Sequence, residues 1–291
     1  MKASIRPIIF FLASAVTPLA QATMSVNSMN YPAWVQRGGE TLPLAPGDQL
    51  RAGDQLRTGA SGRLWLEVED GSVIKLGQQS RFTVKQSEFR GTADDTILEA
   101  AFDVLKGAFR FTSNFFAARR DARHQVEFQI GAVTAGVRGT DIWGRSGDGE
   151  DFVALLEGSI EVNSAGDAAQ MMDKPLTLYL KQEGQASTGV QPVDISVIQS
   201  LAPDTELDSA AGIATINGPR GLVLMSLKTE AYVAKNLGRF RDAGYAVVAV
   251  PAGDFTRIML TGLVDREAAA NLRNIIQQQF AINDAWIPAR G

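Results

Sequence analysis

The stretch RLWLEVEDGSVIKL, residues 63 to 76, limits the fold more than any other, because it carries a two-residue period on both sides of a turn. Leu64, Leu66 and Val68 alternate with Arg63, Trp65, Glu67 and Glu69, the pattern of a strand with one buried face. A two-residue turn at Asp70-Gly71 would set Leu66 opposite Lys75 and Glu67 opposite Ile74, placing charge against core. A three-residue loop of Glu69, Asp70 and Gly71 sets Leu66 opposite Ile74 and Leu64 opposite Leu76. Only the second register keeps one face apolar, and glycine enters positive φ without a Cβ penalty, so the bulged loop is predicted. A solenoid, whose coils rather than adjacent strands pair, would satisfy the same alternation.

Strand and turn text runs from Tyr31 to about Gly189. GDQLR occurs at 47–51 and again at 53–57, either as two turn-and-strand units or as a local duplication. Two copies are fewer than a solenoid assignment needs. Further strands are predicted at 107–113, 125–130, 151–162 and 176–185. The segment DDTILEAAFDVL, 94–105, is ambiguous, with a strand expected near its end. The class is mostly β, solenoid-like or sandwich-like.

The 291 residues suffice for two domains. Lys2 and Arg6 precede the apolar run PIIFFLASAV, and Ala20-Gln21-Ala22 supplies small residues at a cleavage point. Residues 1–22 are therefore expected to be a secretory signal peptide, cleaved after Ala22. No later run approaches the ~20 apolar residues of a spanning helix, so an exported, soluble, periplasmic protein is expected. The absence of cysteine excludes disulfides, thiolate metal sites and cysteine nucleophiles. Removing Lys2 and Arg6 from a net charge of -4 leaves about -6, which argues against nucleic acid or an anionic bilayer as partner.

A short helix is expected at 194–201 and a linker at 202–219, bounding a β-rich domain over 23–201. After Gly221 the pattern becomes strand, helix, strand, strand, helix, strand. LVLMSL (222–227) is a strand, and Val233, Leu237 and Phe240 share a helical face that closes at Gly244. YAVVAV and TRIMLT are strands, Asp265 caps a second helix, and AWI (285–287) ends the set. This βαββαβ order over 220–291 predicts a ferredoxin-like α+β domain with helices on one sheet face. Alternation puts Val223, Met225 and Leu227 on one side of the first strand and Arg257, Met259 and Thr261 on one side of the third. Those sets form either the core or an open binding face.

Few residues offer chemistry. Arg138, in VRGT, is either a buried guanidinium paired with Asp141 or Glu157, or an anion ligand. His124 is the only histidine and is expected on a surface or loop, since one histidine makes neither a two-histidine metal site nor, alone, a triad. Arg119, Arg120 and Arg123 beside Phe115 and Phe116 are either a solvated loop or a partner patch. Carboxylate pairs such as Asp94 with Asp95 or Glu67 with Asp70 are candidates for acid and base work, but they sit in turns or solvated strand faces with no nearby signature. No catalytic residue, metal or cofactor is assigned.

Three segments, GDQLRTGASGRLWLEVEDGSVIKLGQQSRFTV, VTAGVRGTDIWG and VALLEGSIEV, together resemble the FecR domain, a β-rich periplasmic module, over most of residues 45–185. The resemblance implies an interaction module; the membrane span and cytoplasmic segment of the signalling relatives have no counterpart in this sequence. Residues 220–289 resemble the SPOR domain, which binds peptidoglycan glycan strands stripped of peptides, often at the division site. That resemblance rests on element order and on TRIMLTGLVDREAAANL, with Ser226, Arg257 and Ala269 matching. Val223 stands where the family usually has Gln, and Thr256 where Tyr is common. What it implies is a glycan site with Ser226 and Arg257 as polar contacts and Val223, Met225 and Met259 as an apolar platform. The expected function is that of a non-enzymatic envelope protein holding glycan through its last domain and a protein partner through its first. The alternatives are a protein adaptor without sugar binding and a cell-wall hydrolase.

Overall fold

A computed structural model of the protein describes residues 24–92, 95–114 and 125–289, with the backbone alone for 89–92 and 95–98. The expected signal peptide, Asp94, the basic cluster with its two phenylalanines, and His124 lie outside the described residues. The amino-terminal strands are β1 (Met24–Asn30), β2 (Ala33–Arg37), β3 (Glu40–Pro43), β4 (Gln49–Leu50), β5 (Gln55–Thr58), β6 (Arg63–Val68), β7 (Val73–Leu76), β8 (Arg81–Thr92) and β9 (Asp95–Thr112). They continue with β10 (Gln125–Ile130), β11 (Val133–Gly147), β12 (Glu150–Ser164), β13 (Gln170–Met172), β14 (Thr177–Gln182) and β15 (Val190–Pro192).

The β6–β7 hairpin takes the register that keeps charge out of the core: Leu64 faces Leu76 and Leu66 faces Ile74. Gly71 has φ 83°, and the Val68 N–H donates to the Ser72 carbonyl at 2.8 Å, closing the three-residue loop. The Asp70 carboxylate accepts from the Ser72 N–H and hydroxyl, both at 2.8 Å, so its role is to hold that loop. The two GDQLR copies fold alike. In each, the Asp carboxylate accepts from the backbone N–H three residues earlier, Ala45 to Asp48 at 2.8 Å and Arg51 to Asp54 at 3.0 Å, and Leu50 and Leu56 are both buried.

Three strands are too long for one flat sheet, and each bends. The first part of β9 pairs with β8 and β10, its last part with β7 and β11. In β11, Val133–Arg138 lies beside β10 and the end of β12, whereas Asp141–Gly147 lies beside β9 and the start of β12. The bends fall near Gly107, Gly139 and Gly158, all at positive φ. A Cβ at Gly158 would sit 2.4 Å from the Gly139 carbonyl oxygen, so the crossing admits only glycine there.

The result is two sheets sharing bent strands, one running β3-β2-β5-β8-β9-β10-β11-β12-β13 and the other β1-β6-β7-β9-β11-β12-β14-β15. All these pairings are antiparallel except β9 with β10. That pattern overturns the solenoid alternative, because stacked coils pair in parallel along an axis, and leaves the sandwich-like one. Phe128 fastens the sheets: its ring lies 5.1 Å from Phe102, 4.9 Å from Phe109 and 5.1 Å from Phe111. Each such ring pair contributes about 0.5–1.5 kcal/mol beyond area burial.

Helix α1 (Ile195–Leu201) then leads into residues 202–219, where a linker was expected. This segment joins the two halves and is packed at Thr205, Ala211 and Ala214. It forms two 3₁₀ turns and β16 (Ile213–Thr215), which pairs with β1 and touches β19. The reason is Asn30: its buried side-chain amide donates to the carbonyls of Asp208 and Gly212 at 2.9 and 3.0 Å and accepts from the Asp208 N–H at 2.8 Å. Satisfying a buried amide so fully fixes the segment against the first half.

The last part contains β17 (Arg220–Leu227), α2 (Glu230–Asp242), β18 (Val248–Ala252), β19 (Phe255–Leu263) and α3 (Arg266–Phe280). Trp286 and Val223 exchange backbone hydrogen bonds of 2.9 and 2.8 Å, so the lateral order is Trp286 segment, β17, β19, β18, all antiparallel. Asp265 caps α3 by accepting from the Ala268 N–H at 2.7 Å. Phe240, Leu272 and Ile276 of the helices share a buried cluster with Leu222, Ile258 and Leu260 of the sheet. The halves meet at Tyr31 and Tyr245, whose rings stack at 5.7 Å, and the Trp34 indole N–H donates to the Asp242 carbonyl at 3.1 Å.

Two outcomes are expected. Gly158→Ala lowers stability by about 3 kcal/mol, through forced positive φ and the clash, seen as a fall in urea midpoint. Gly149→Ala, also at positive φ but with open space around it, costs about 1 kcal/mol. Burial pushes the Tyr245 phenol up to about 12. Because the folded value lies above the unfolded one of about 10, its contribution is full below pH about 10 and lost as pH rises through about 12. Tyr31 moves in the same direction, by burial first and then by Asp48. Absorbance titration and denaturation across that window should therefore report loosening of the junction together with phenol ionisation.

Candidate functional site

The sheet of the last half has one face under α2 and α3. On β19 the buried Ile258 and Leu260 point into that core, so Arg257 and Met259 alternate onto the other face. Cross-strand pairing carries the bare face sideways: Val248 and Val223 flank Met259, and Val250 and Ser226 flank Arg257. The Arg257 guanidinium lies 5.1 Å from the centre of the Trp286 ring, a stacked cation–π pair that fixes the direction of the charge. Trp286, Val248 and Val250 remain 39%, 39% and 38% exposed, and Ser226 is exposed, so the amino-terminal half does not cover this face.

Two residues expected on the platform depart from it. A bulge between Val223 and Met225 inserts a residue into β17, so Met225 falls opposite Ile258 and packs against the core. Strict alternation in LVLMSL had put it beside Val223. Val223 has a partner on the bare face but is itself fully buried between Trp286 and Met259, so its side chain cannot meet a ligand. Ser226, Arg257 and Met259 lie on the bare face. Trp286 was missed as a site residue; its signal was the short AWI strand, whose place beside the first strand follows once the strand order is known.

In the first half, Arg138 is exposed, which corrects the buried reading. Asp141 is held instead by Arg110, through bonds of 3.0 and 2.6 Å. Arg138 borders a groove of about 710 Å³ on the outer side of the first sheet, with Glu99, Glu127 and Glu161 around the bare Gly136. Glu67 accepts from Asn27 at 3.0 Å, and Asp70 is spent on its loop, so this carboxylate pair is engaged in structure. Among the described residues no cluster of metal-ligating side chains occurs, and no helix is long and apolar enough to cross a membrane.

Comparison with known proteins adds the following. Two crystal structures, each described as a candidate anti-sigma factor from Parabacteroides distasonis, align with 14% and 15% identity. Each alignment covers 79% of this chain and 92% of the other, with TM-scores of 0.41 and 0.40. No curated protein gives a significant match. Residues 54–161, which run from the second GDQLR turn through the bent strands into the last part of β12, match the family model described as FecR protein.

Proposed function

We propose that this is a non-enzymatic adaptor of the periplasmic cell envelope, whose FecR-bearing half engages a protein partner and whose last half, a SPOR-like ferredoxin fold, holds peptidoglycan glycan strands. The lateral order of the Trp286 segment, β17, β19 and β18, with both helices on one face, supports the ferredoxin-like reading of residues 220–291. The export-type sequence of residues 1–22 supports the location. One observation carries the glycan reading: an uncovered sheet face on which Arg257 is stacked over a half-exposed indole, beside Met259, Val248 and Val250. Sugar rings need an apolar platform with a few oriented polar groups, and a tryptophan ring with a fixed guanidinium supplies both.

A second reading, protein docking on the same face, is favoured by β18. It is an edge strand with exposed valines, and an extended segment can add to such an edge through main-chain bonds.

Sedimentation with sacculi stripped of peptides tests the first reading. The mature chain should be retained, and Arg257→Ala or Trp286→Ala should weaken retention roughly tenfold or more, the loss expected for a charged hydrogen bond or a stacking platform. Met225→Ala should instead lower stability by about 2 kcal/mol and leave retention intact. Absence of retention by the unaltered chain removes the glycan reading. Retention of proteins after the glycan is digested away, lost when β18 is altered, favours the second.

A further inference from the structure

On the outer side of the second sheet, basic residues stand shoulder to shoulder. Lys75 on β7 is the cross-strand partner of both Trp65 on β6 and Arg110 on β9, and Arg110 is in turn the partner of Trp143 on β11. Arg63 and Arg145 extend this band at its two ends. Lys75 lies 4.8 Å from the Trp65 ring centre and Arg145 5.4 Å from that of Trp143. Like charges directly opposite on neighbouring strands destabilise a sheet, so the sandwich itself gains nothing from setting Lys75 beside Arg110. Asp141, held by Arg110 at 2.6 Å, offsets one of the two charges from within the sheet, and the anion that meets Lys75 comes from outside it.

In this structure that anion belongs to the chain itself. Asp204 pairs with Arg145, Glu206 with Lys75 at 2.7 Å and with Arg110 at 3.8 Å, and Asp208 with Arg63 at 3.9 Å. Carboxylates thus recur at every second residue of a segment crossing four strands. Asp204 closes the 3₁₀ turn Ala202–Asp204 and Thr205 keeps helical angles, whereas Asp208 is extended, so the segment crosses the band as a turn that opens out, met by the long cationic side chains. The segment lies close: a Cβ at Gly77 would sit 2.6 Å from the Asp204 carbonyl oxygen, and Thr205 is buried. Its acids, however, remain 37% to 45% exposed, so their pairs are screened by salt and exchangeable. Beneath, Trp143 is buried, and its indole N–H finds no acceptor among the described residues.

We infer that this cationic, tryptophan-bearing band is a receptor surface for an acidic polypeptide segment of a partner protein, and that residues 204–208 occupy it as an internal ligand. The partner segment displaces Asp204 and Glu206 while Asn30 keeps the Asp208 end in place. The proposal is independent of the glycan reading and rests on the reading of the FecR-bearing half as a partner-binding module.

The test uses the mature chain and a fluorescein-labelled peptide, APDTELDSA, copied from residues 202–210, with its amide analogue APNTQLNSA as control. The Asp204→Asn, Glu206→Gln double variant should bind the acidic peptide roughly tenfold tighter than the unaltered chain, in line with release of two charged contacts. That binding should fall steeply between about 50 and about 300 mM salt and vanish when Arg110→Glu is added. A double variant with unaltered circular dichroism that binds neither peptide, or both alike, overturns the proposal. If the double variant does not fold, Glu206→Gln alone should give a gain of roughly threefold, and no gain there overturns it equally. Envelope proteins captured equally by the chain with and without Arg110→Glu would sink this surface and leave the partner-binding reading standing; no capture by either would sink that reading.

Discussion

The amino-terminal half depends on bending three strands without breaking their ladders. A sheet as wide as this one must curl or split, and β9, β11 and β12 split it by passing from one layer to the other. At Gly158 the chain comes so near the Gly139 carbonyl that even a methyl group has no place. The bend in turn sets Phe109 and Phe111, beyond it on β9, against Phe128 on β10, which packs on Phe102 before it. Without disulfides, the sandwich depends on its hydrophobic core, with that ring cluster within it, and on its hydrogen-bonded ladders.

The same constraint explains what each outer face can become. Alternation sends one set of side chains into the shared core and leaves the other set to solvent or to whatever lies across it. On the second sheet, Leu64, Leu66 and Ile74 go inward, and Arg63, Trp65 and Lys75 therefore go out. The register of the hairpin, set by a loop of three residues, thus decides that Lys75 stands beside Trp65 rather than inside. A turn shorter by one residue would have buried the cation.

Much of this was legible in the residues. The hairpin register followed from the cost of opposing Glu67 to Ile74, and the cap of α3 from Asp265 ahead of an apolar helical face. The strand limits at 125–130 agree residue for residue, because QVEFQI alternates cleanly. What escaped has physical reasons too. A bulge changes the face of every residue after it, and nothing in LVLMSL announces one, so Met225 was placed outside when it packs inside. The small and apolar neighbours of Arg138 left a buried guanidinium and an anion ligand both open, whereas its strand shows that side to a groove. Trp286 pairs with Val223 across more than sixty residues of intervening chain, and such long-range neighbours carry no local signature.

Residues 202–219 show why composition misleads about connections. Proline, glycine, serine and acids without periodicity describe any segment lacking its own regular structure, whether free or pinned. What pins this one lies far away in sequence, at Asn30, Arg63, Lys75, Arg110 and Arg145. Its two kinds of attachment differ in strength for a physical reason. The Asn30 amide is buried and fully bonded, so breaking it would leave polar atoms unsatisfied at about 1–3 kcal/mol each. The exposed ion pairs contribute about 0–1 kcal/mol apiece, because water solvates both partners nearly as well when they part. A segment fixed firmly at one end and held by exchangeable charges at the other is graded along its length, and its weaker end is the one whose acid meets Arg145, the cation set against the Trp143 ring.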